Sequence, residues 1–193
     1  MTKNVYAIGF QMYVVIMIAF FITHVFFRNE DYYRNSILLS SFLLPFIFAT
    51  GAFYSVFSYK KTKEKLSFKE AFGRAFLPMF VGGFLSILSI FMYINYMNTT
   101  TKDLLNHQYI ESYKQSLEEE YLKAKKIVKP NSTDMQDLEQ KYAEGKLRIQ
   151  KKQEKKEDMF AANYFAYVFA GYCTFFIILS VFFGSFFRSR SEV

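Results

Sequence analysis

Residues 6–27 read YAIGFQMYVVIMIAFFITHVFF, a run of 22 residues that contains no charged side chain. Three further runs of the same character cover residues 36–57, 77–97 and 161–187. A helix needs about 20 apolar residues to cross a hydrocarbon core of roughly 30 Å. The runs lack the alternation of barrel strands and are about twice as long. The sequence therefore predicts an all-α membrane protein with a bundle of four transmembrane helices.

The residue types that carry chemistry are scarce. The single cysteine, Cys173, excludes an internal disulfide and any multi-cysteine metal site, and two histidines argue against a His-based site. No phosphate-binding loop, nucleophile elbow, metal-ligand pair or carboxylate dyad is visible. We therefore predict no catalytic residues, no cofactor, no metal and no enzymatic activity.

The net charge of +7 does not indicate nucleic-acid binding, because of where the charge lies. Lys and Arg crowd beside the apolar runs, as membrane topology requires. The long polar insertion at residues 99–160 is nearly balanced, with 13 Lys and Arg against 12 Asp and Glu. A balanced segment has little net field to attract phosphate, so nucleic acid is not predicted as a partner.

The insertion at 99–160 is predicted to lie outside the membrane as two helices. The first is expected to start near Thr101, as its N-cap, and to end at Val128, with apolar residues at spacings of three and four from Ile110 onward. The sequence KPNS at 129–132 then breaks the pattern, and Ser132 or Thr133 is expected to cap a second helix. The simplest assembly is an antiparallel hairpin that stands on the third and fourth spans, with a mobile tip near Pro130.

The junction between the second and third spans, residues 59–76, is rich in cations and aromatic rings. Phe68, Phe72 and Phe76 repeat every four residues, which predicts a short amphipathic helix that lies on the membrane surface and leads into the third span. The basic side chains expected to contact lipid headgroups are Lys60, Lys61, Lys63, Lys65, Lys69 and Arg74. Specific lipid recognition and ordinary topology anchoring both fit, and anchoring is the simpler explanation.

Small residues recur on several faces of the predicted spans, where they would let helix backbones approach closely. The fourth span has them at strict four-residue spacing, and the second and third spans each offer a matching Gly–Ser pair. The predicted packing positions are Ala162, Ala166, Ala170, Thr174, Gly82, Ser86, Gly51 and Ser55. Such packing would join helices within the chain or between copies of it.

Three polar side chains inside the predicted spans are candidate functional residues. An ionisable residue in a membrane, such as His24, is a functional candidate by default. His24 nevertheless lies three residues from the end of its span, so we favour contact with interfacial water. For Gln11 and Asn95 we favour hydrogen bonds to a neighbouring helix over a role in transport.

The orientation follows from the distribution of positive charge. The first-to-second loop has only Arg28 and Arg34, whereas nine cations flank the spans on the other side. They are Lys3, Lys60, Lys61, Lys63, Lys65, Lys69, Arg74, Arg188 and Arg190. If the cations of the insertion are counted with Arg28 and Arg34, that side also has nine. The positive-inside rule applies to short loops, however, so we discount the insertion, which is slightly longer than about 60 residues. Both termini are then predicted to be cytoplasmic.

The junction sequence LSFKEAFGRAF at 66–76, the Gly-containing apolar span after it and the polar insertion before the last span resemble a known family. It comprises the four-span membrane proteins of Bacteroidetes grouped as domain of unknown function 4199. The resemblance implies a bacterial inner membrane and a periplasmic insertion. It implies no functional residues, and it points only weakly to an envelope glycosyltransferase system as a partner.

Three segments and two functional hypotheses result. Residues 1–98 form spans one to three, 99–160 the extramembrane hairpin, and 161–193 the fourth span with a short basic tail. The first hypothesis is a non-catalytic membrane subunit or scaffold whose helical arm contacts another envelope protein. The expected partners are the lipid bilayer and either that protein or further copies of the chain in a homo-oligomer. The alternative is a carrier of a lipid or small neutral solute, with Gln11, His24 and Asn95 as candidate lining residues. An interfacial enzyme acting on lipid-linked substrates is a third and weaker option.

Overall fold

A computed structural model describes residues 4–63, 65–130 and 132–189. Lys3, Arg190 and Asn131, which entered the charge count and the predicted break, lie outside these residues. The described part is helical and contains no strand. In chain order the helices are α1 (Val5–Phe26), α2 (Tyr32–Leu38), α3 (Leu44–Lys60), α4 (Phe68–Met92), α5 (Thr99–Lys125), α6 (Thr133–Glu154) and α7 (Ala162–Phe187). The all-helical class is confirmed.

Four helical segments are long and apolar enough to cross a membrane, as the sequence predicts. They are Val5–Phe26, Tyr32–Lys60, Phe68–Met97 and Ala162–Phe187. The second segment combines α2 and α3 through a π-helical turn, Leu39–Leu43. This turn ends two positions before Pro45, which has no N–H to continue the α-helical ladder. The second and third segments begin earlier in the chain than the charge-free runs do.

The amphipathic junction is not a separate helix, which corrects the sequence-based expectation. Residues 68–76 are instead the first turns of α4, which continues into the apolar run without a break. A capping box starts the helix: Ser67 Oγ accepts from the Glu70 amide, and the Glu70 carboxylate accepts from the Ser67 amide. Ala71 and Ala75 are fully buried in the helix bundle, so packing, rather than a lipid surface, sets the direction of these turns.

The third segment lies at the centre of the bundle, because α4 packs against α1, α3 and α7. Glycines allow this close packing. A Cβ on Gly82 would lie 2.8 Å from the Gly9 carbonyl oxygen, and one on Gly83 would lie 2.8 Å from the Phe176 ring. Met79 and Phe48 are buried beside them. The backbones of α1 and α4 are therefore in direct contact, which only glycine permits at these positions.

The chain divides into two compact units, and the second comprises Asn98–Phe160. Its first helix is capped by Asn98, whose side chain accepts from the Thr101 amide at 3.2 Å, so Thr101 is not the N-cap that we predicted. The helix ends at Lys125, before the predicted Val128. Ser132 caps α6 by accepting from the Met135 amide at 3.2 Å, which selects the first of the two predicted caps.

The helices α5 and α6 meet along a narrow seam. Tyr121 stacks on Tyr142 with ring centroids 4.1 Å apart, and a Cβ on Gly145 would collide with Leu117. Further along, the Lys152 ammonium donates to the Tyr109 hydroxyl at 3.3 Å. These partners run in opposite directions along the two helices, and we call the unit Asn98–Phe160 the arm.

The end of the seam farthest from the α5–α6 turn is tied by polar contacts. The Asn106 amide donates to Asp158 Oδ1 at 3.1 Å, and Asn106 Oδ1 accepts from the Met159 amide at 2.9 Å. Asp158 also pairs with Lys102. A single asparagine thereby joins the start of α5 to the segment that follows α6.

Candidate functional site

A histidine held between two tyrosines is the most organised polar group in the bundle. Tyr32 Oη lies 3.2 Å from His24 Nδ1, and Tyr93 Oη lies 3.0 Å from His24 Nε2. The Phe20 ring stacks against the imidazole with centroids 6.1 Å apart. His24 is 8% exposed and Tyr32 1% exposed. We call these four residues the His24 cluster.

Three chain segments meet at the His24 cluster. His24 lies in the last turn of α1, and Tyr32 is the first residue of α2. Tyr93 begins the π-helical turn Tyr93–Met97 that follows α4. The wider turn rotates side chains relative to the preceding helix, and such turns often occur at functional positions. The cluster therefore connects the ends of three candidate spans.

The hydrogen-bond chemistry of the cluster is directional. A neutral imidazole has one N–H donor and one acceptor nitrogen. One tyrosine hydroxyl therefore accepts from His24 while the other donates to it, and a neutral Tyr–His–Tyr chain is satisfied in either tautomer. Desolvated polar groups with such partners keep fixed positions. The arrangement favours rigid alignment of three helix ends over exchange of protons with water.

The sequence identified His24 but not its partners. The expected contact with interfacial water is replaced by tyrosine hydroxyls, because Tyr32 and Tyr93 cover the imidazole. Tyr32 precedes the second charge-free run and Tyr93 lies near the end of the third, positions where rings of this type are common. The sequence therefore did not single out these two tyrosines as partners of His24, since no periodicity links positions 24, 32 and 93 along the chain.

The other two candidate polar residues lie elsewhere. Gln11 is exposed and lines a groove of about 500 Å³ between α1 and α3, together with Thr50 and Tyr54. Asn95 donates to the Phe91 carbonyl at 3.1 Å, within its own helical segment. The structure thus does not bring Gln11, His24 and Asn95 into one site.

The predicted small-residue faces have different environments. Gly82 meets α1, Ser86 is buried and donates to the Gly82 carbonyl at 2.7 Å, and Ser55 is also buried. A Cβ on Gly51 would collide with Met12. In contrast, the four positions on α7 are all exposed: Ala162, Ala166, Ala170 and Thr174. The face of α7 that packs in the bundle is formed by other residues, both aromatic and small: Phe176, Ser180, Phe183, Gly184 and Phe187.

The cationic end of the bundle orders its basic side chains over aromatic rings. Lys60 and Lys61 lie 5.4 Å and 4.4 Å from the ring centroids of Phe187 and Phe57. The Arg74 guanidinium lies 4.0 Å from the Tyr59 centroid. Cations in such positions interact favourably with the ring faces.

Lys63 at this end has a different partner, since it forms an ion pair with Glu70. Its hydrogen bond to that carboxylate raises the pKa of Lys63. Lys65 and Lys69 are exposed. The six cations predicted to contact headgroups therefore lie together at one end of the bundle, in several distinct environments.

In the described part of the chain, no group of three His, Cys, Asp or Glu residues is placed to hold a metal ion. The described glutamates and aspartates lie in loops, in the arm or in the first turn of α4.

Four long apolar helical segments, three of them packed against α4 in the fourth, indicate a multi-pass membrane protein. Within that class, the chain belongs to the family described as "Protein of unknown function (DUF4199)", whose model matches residues 8–189. This match confirms the family resemblance seen in the sequence. No curated protein and no solved structure matches the chain.

Proposed function

We propose that the protein is a non-catalytic membrane subunit or scaffold, and that its arm contacts another protein of the cell envelope. In this proposal it resides in a bacterial inner membrane with both termini in the cytoplasm and the arm in the periplasm. The family resemblance points to an envelope glycosyltransferase system as the source of the partner.

Exposed apolar side chains on the arm are the observation that carries this proposal. Ile127 is 84% exposed and Leu122 is 48% exposed, although both lie in a densely charged segment. Large apolar side chains in a solvated position gain free energy when a partner covers them. Their place near the α5–α6 turn fits a contact made by the end of the arm.

The geometry of α5 and α6 supports an arm stiff enough to position that contact. In our proposal the two helices form an antiparallel hairpin, as the stacked pair Tyr121–Tyr142 and the Lys152–Tyr109 bond suggest. A helix of 27 residues is about 40 Å long. In such a hairpin the α5–α6 turn, with Leu122 and Ile127 near it, would lie about 40 Å from the start of α5.

The fourth candidate span supplies a second surface for assembly. Its small residues Ala162, Ala166, Ala170 and Thr174 are all exposed, and the first two line an apolar groove shared with α4. A Cβ added to Gly171, between them, would meet no atom within 4 Å. Small residues on an outer face allow a helix of another subunit, or of a second copy, to approach closely.

Affinity purification in mild detergent tests the scaffold. We expect the full-length protein to recover a stoichiometric partner, and to lose it when residues 101–158 are deleted. The sharper variant is Leu122→Ser with Ile127→Ser, which should reduce recovery of the same partner. The matched control is Lys123→Ala on the same helix, which leaves the apolar surface intact and should retain the partner. Recovery that is independent of the arm would refute the proposal.

Cysteine labelling tests the proposed orientation. In a Cys173→Ser background, Ser132→Cys should react with an impermeant maleimide in intact spheroplasts, whereas Thr62→Cys should not. Both should react after the membrane is permeabilised, which controls for access. The reverse pattern of labelling would place the arm in the cytoplasm.

A carrier of a lipid or small neutral solute is the second candidate, and the groove between α1 and α3 favours it. Apolar side chains line most of the groove, and Gln11 supplies a polar group. The groove opens on the side of the bundle, so an acyl chain fits it better than a hydrated solute. In vesicles that contain the protein, Gln11→Leu should slow the flipping of a labelled phospholipid. Gln108→Leu, in the arm, should leave the rate of flipping unchanged.

A further inference from the structure

Two of the basic residues at the cationic end, Lys69 and Arg74, line a pocket. Lys60 and Lys61 lie over phenylalanine rings, and Lys63 pairs with Glu70. Lys69 and Arg74 line a pocket of about 430 Å³, to which Lys60, Lys61 and Lys63 do not contribute. The pocket distinguishes these two residues from a general positive surface.

Three segments of the bundle form this pocket. Asn4 and Val5 come from the start of α1, Tyr59 from the end of α3, and Lys69 and Arg74 from the first turns of α4. The pocket therefore depends on the tertiary packing of the bundle.

Aromatic contact holds one cation on the pocket wall. The Arg74 guanidinium lies 4.0 Å from the Tyr59 ring centroid and is half-buried. A guanidinium placed in this way keeps its charge and has several N–H donors, which suit the oxygens of a phosphate. Lys69 is exposed and supplies a flexible ammonium.

One carboxylate also lines the pocket, and other groups already engage it. Glu70 forms the ion pair with Lys63, and its Oε2 accepts from the Ser67 hydroxyl at 2.7 Å and from the Ser67 amide at 3.1 Å. These contacts offset its negative charge. Lys69 and Arg74 therefore leave the pocket with a positive balance.

The position of the pocket along the helix matches the level of lipid headgroups. The third candidate span has 30 residues, about 45 Å of helix, which exceeds a hydrocarbon core of roughly 30 Å. Lys69 and Arg74 lie before the charge-free run that begins at Leu77. Leu77 and Val5 line the same pocket, so an apolar wall continues from the cations toward the membrane core.

We propose that this pocket binds the phosphate of one anionic phospholipid, with Lys69 and Arg74 as its cationic ligands. Tyr59 positions Arg74, while Val5 and Leu77 contact the glycerol end of the acyl chains. The proposal is independent of the scaffold function, because it uses none of the residues proposed for assembly in the arm and on α7.

Native mass spectrometry of the full-length protein in mild detergent tests the site by titration with phosphatidylglycerol and, separately, with phosphatidylcholine. We expect one tightly bound phosphatidylglycerol. The variant Lys69→Gln with Arg74→Gln should bind it roughly 30-fold more weakly, because two charged contacts are lost. The matched control is Lys60→Gln with Lys61→Gln, which removes the same charge at the same end and should bind as the wild type does.

Equal weakening in both double variants, or equal binding of the two lipids, would overturn the proposal. Inorganic phosphate identifies the source of the ligand: binding of phosphate at Lys69 and Arg74 without binding of phosphatidylglycerol would also overturn it. If the double variant does not fold, Lys69→Gln alone changes an exposed residue and should still weaken binding several-fold. The charge-conserving Lys69→Arg should restore it.

Discussion

The bundle and the arm both consist of long helices, but different interactions hold each together. In the bundle, glycine lets backbones touch, as where a Cβ on Gly82 would meet the Gly9 carbonyl. In the arm, the seam depends on a few side chains such as Tyr121 and Tyr142. Lipid is as apolar as leucine, so helices in a membrane associate through close packing. Helices in water can pair through a narrow apolar seam. Because such a seam buries little area, we expect the arm to open locally more readily than the bundle does.

Breaking the glycine contact should have the largest effect. We expect Gly82→Leu to destabilise the bundle by about 3 kcal/mol, because the side chain has no space beside the α1 backbone. The measurement is the loss of the monodisperse protein on heating in detergent. The control, Gly171→Leu, places the same side chain on an outer face and should change the midpoint little. Equal effects of the two substitutions would contradict direct contact between α1 and α4.

The next largest effect should come from the His24 cluster. His24→Ala removes a buried ring and leaves the Tyr32 and Tyr93 hydroxyls without their imidazole partner, so we expect a loss of about 2 kcal/mol. Tyr93→Phe should cost about 1 kcal/mol, since one hydrogen bond is lost. Thermal unfolding of the two variants measures both effects. The exposed Tyr167→Phe should have no effect, and a similar loss there would contradict a specific role for the cluster.

In the arm, the stacked pair should matter most. Tyr142→Ala removes the contact with Tyr121 and should destabilise the arm by about 1 kcal/mol. Hydrogen exchange followed by mass spectrometry should show faster exchange in peptides of α5 and α6, and unchanged exchange in α4. Leu147→Ala, at an exposed position of α6, is the control. Faster exchange throughout the bundle would show that the two units are not energetically separate.

A smaller effect should appear at low pH at the Asp158 contacts. Burial raises the pKa of the Asp158 carboxyl, but hydrogen bonds from Lys102, the Phe160 amide and Asn106 together lower it more, so the pKa lies below its usual value. A depressed pKa in the folded state contributes stability above the unfolded-state pKa, near 4, and that contribution is lost as the pH falls through the folded-state value. Exchange near Asn106, corrected for intrinsic rates, should therefore rise below about pH 4.

The variant Asp158→Asn should already show the faster exchange at neutral pH, by an amount equivalent to less than about 1 kcal/mol, and should respond less to acid. An unchanged acid response in this variant would assign the effect to another carboxylate. The peptide that contains Glu111 is a useful internal comparison, since a hydrogen bond from Lys114 lowers the pKa of that carboxyl as well.

The smallest effect should come from a solvated ion pair. Lys123 and Glu119 are 3.3 Å apart, with side chains 75% and 68% exposed. Exposed pairs of this kind contribute little, so Lys123→Ala should change arm stability by less than about 0.5 kcal/mol. A larger loss, measured by the same exchange experiment, would show that surface charge and not the tyrosine seam holds the arm.

Particular residues show where sequence patterns succeed and where they do not. The four apolar runs were recognisable because length and absence of charge are local properties. The helix expected at 68–76 is instead the start of a longer one, since its Phe repeat continues through Phe80 and Phe84 along the continuous helix α4. The predicted cap at Thr101 was wrong, because Asn98 precedes it and asparagine caps at least as well.

The sequence by itself determined which segments suit lipid and which suit water. A run of about 20 apolar residues is stable in lipid, and a segment with balanced Lys and Glu is stable in water. It also determined the family to which the chain belongs. Only the tertiary structure decided which groups meet: His24 with Tyr32 and Tyr93, and Arg74 with Tyr59. Such meetings depend on helix rotation and register, which are set by glycine contacts between segments far apart in the chain and leave no periodic signal within any one of them.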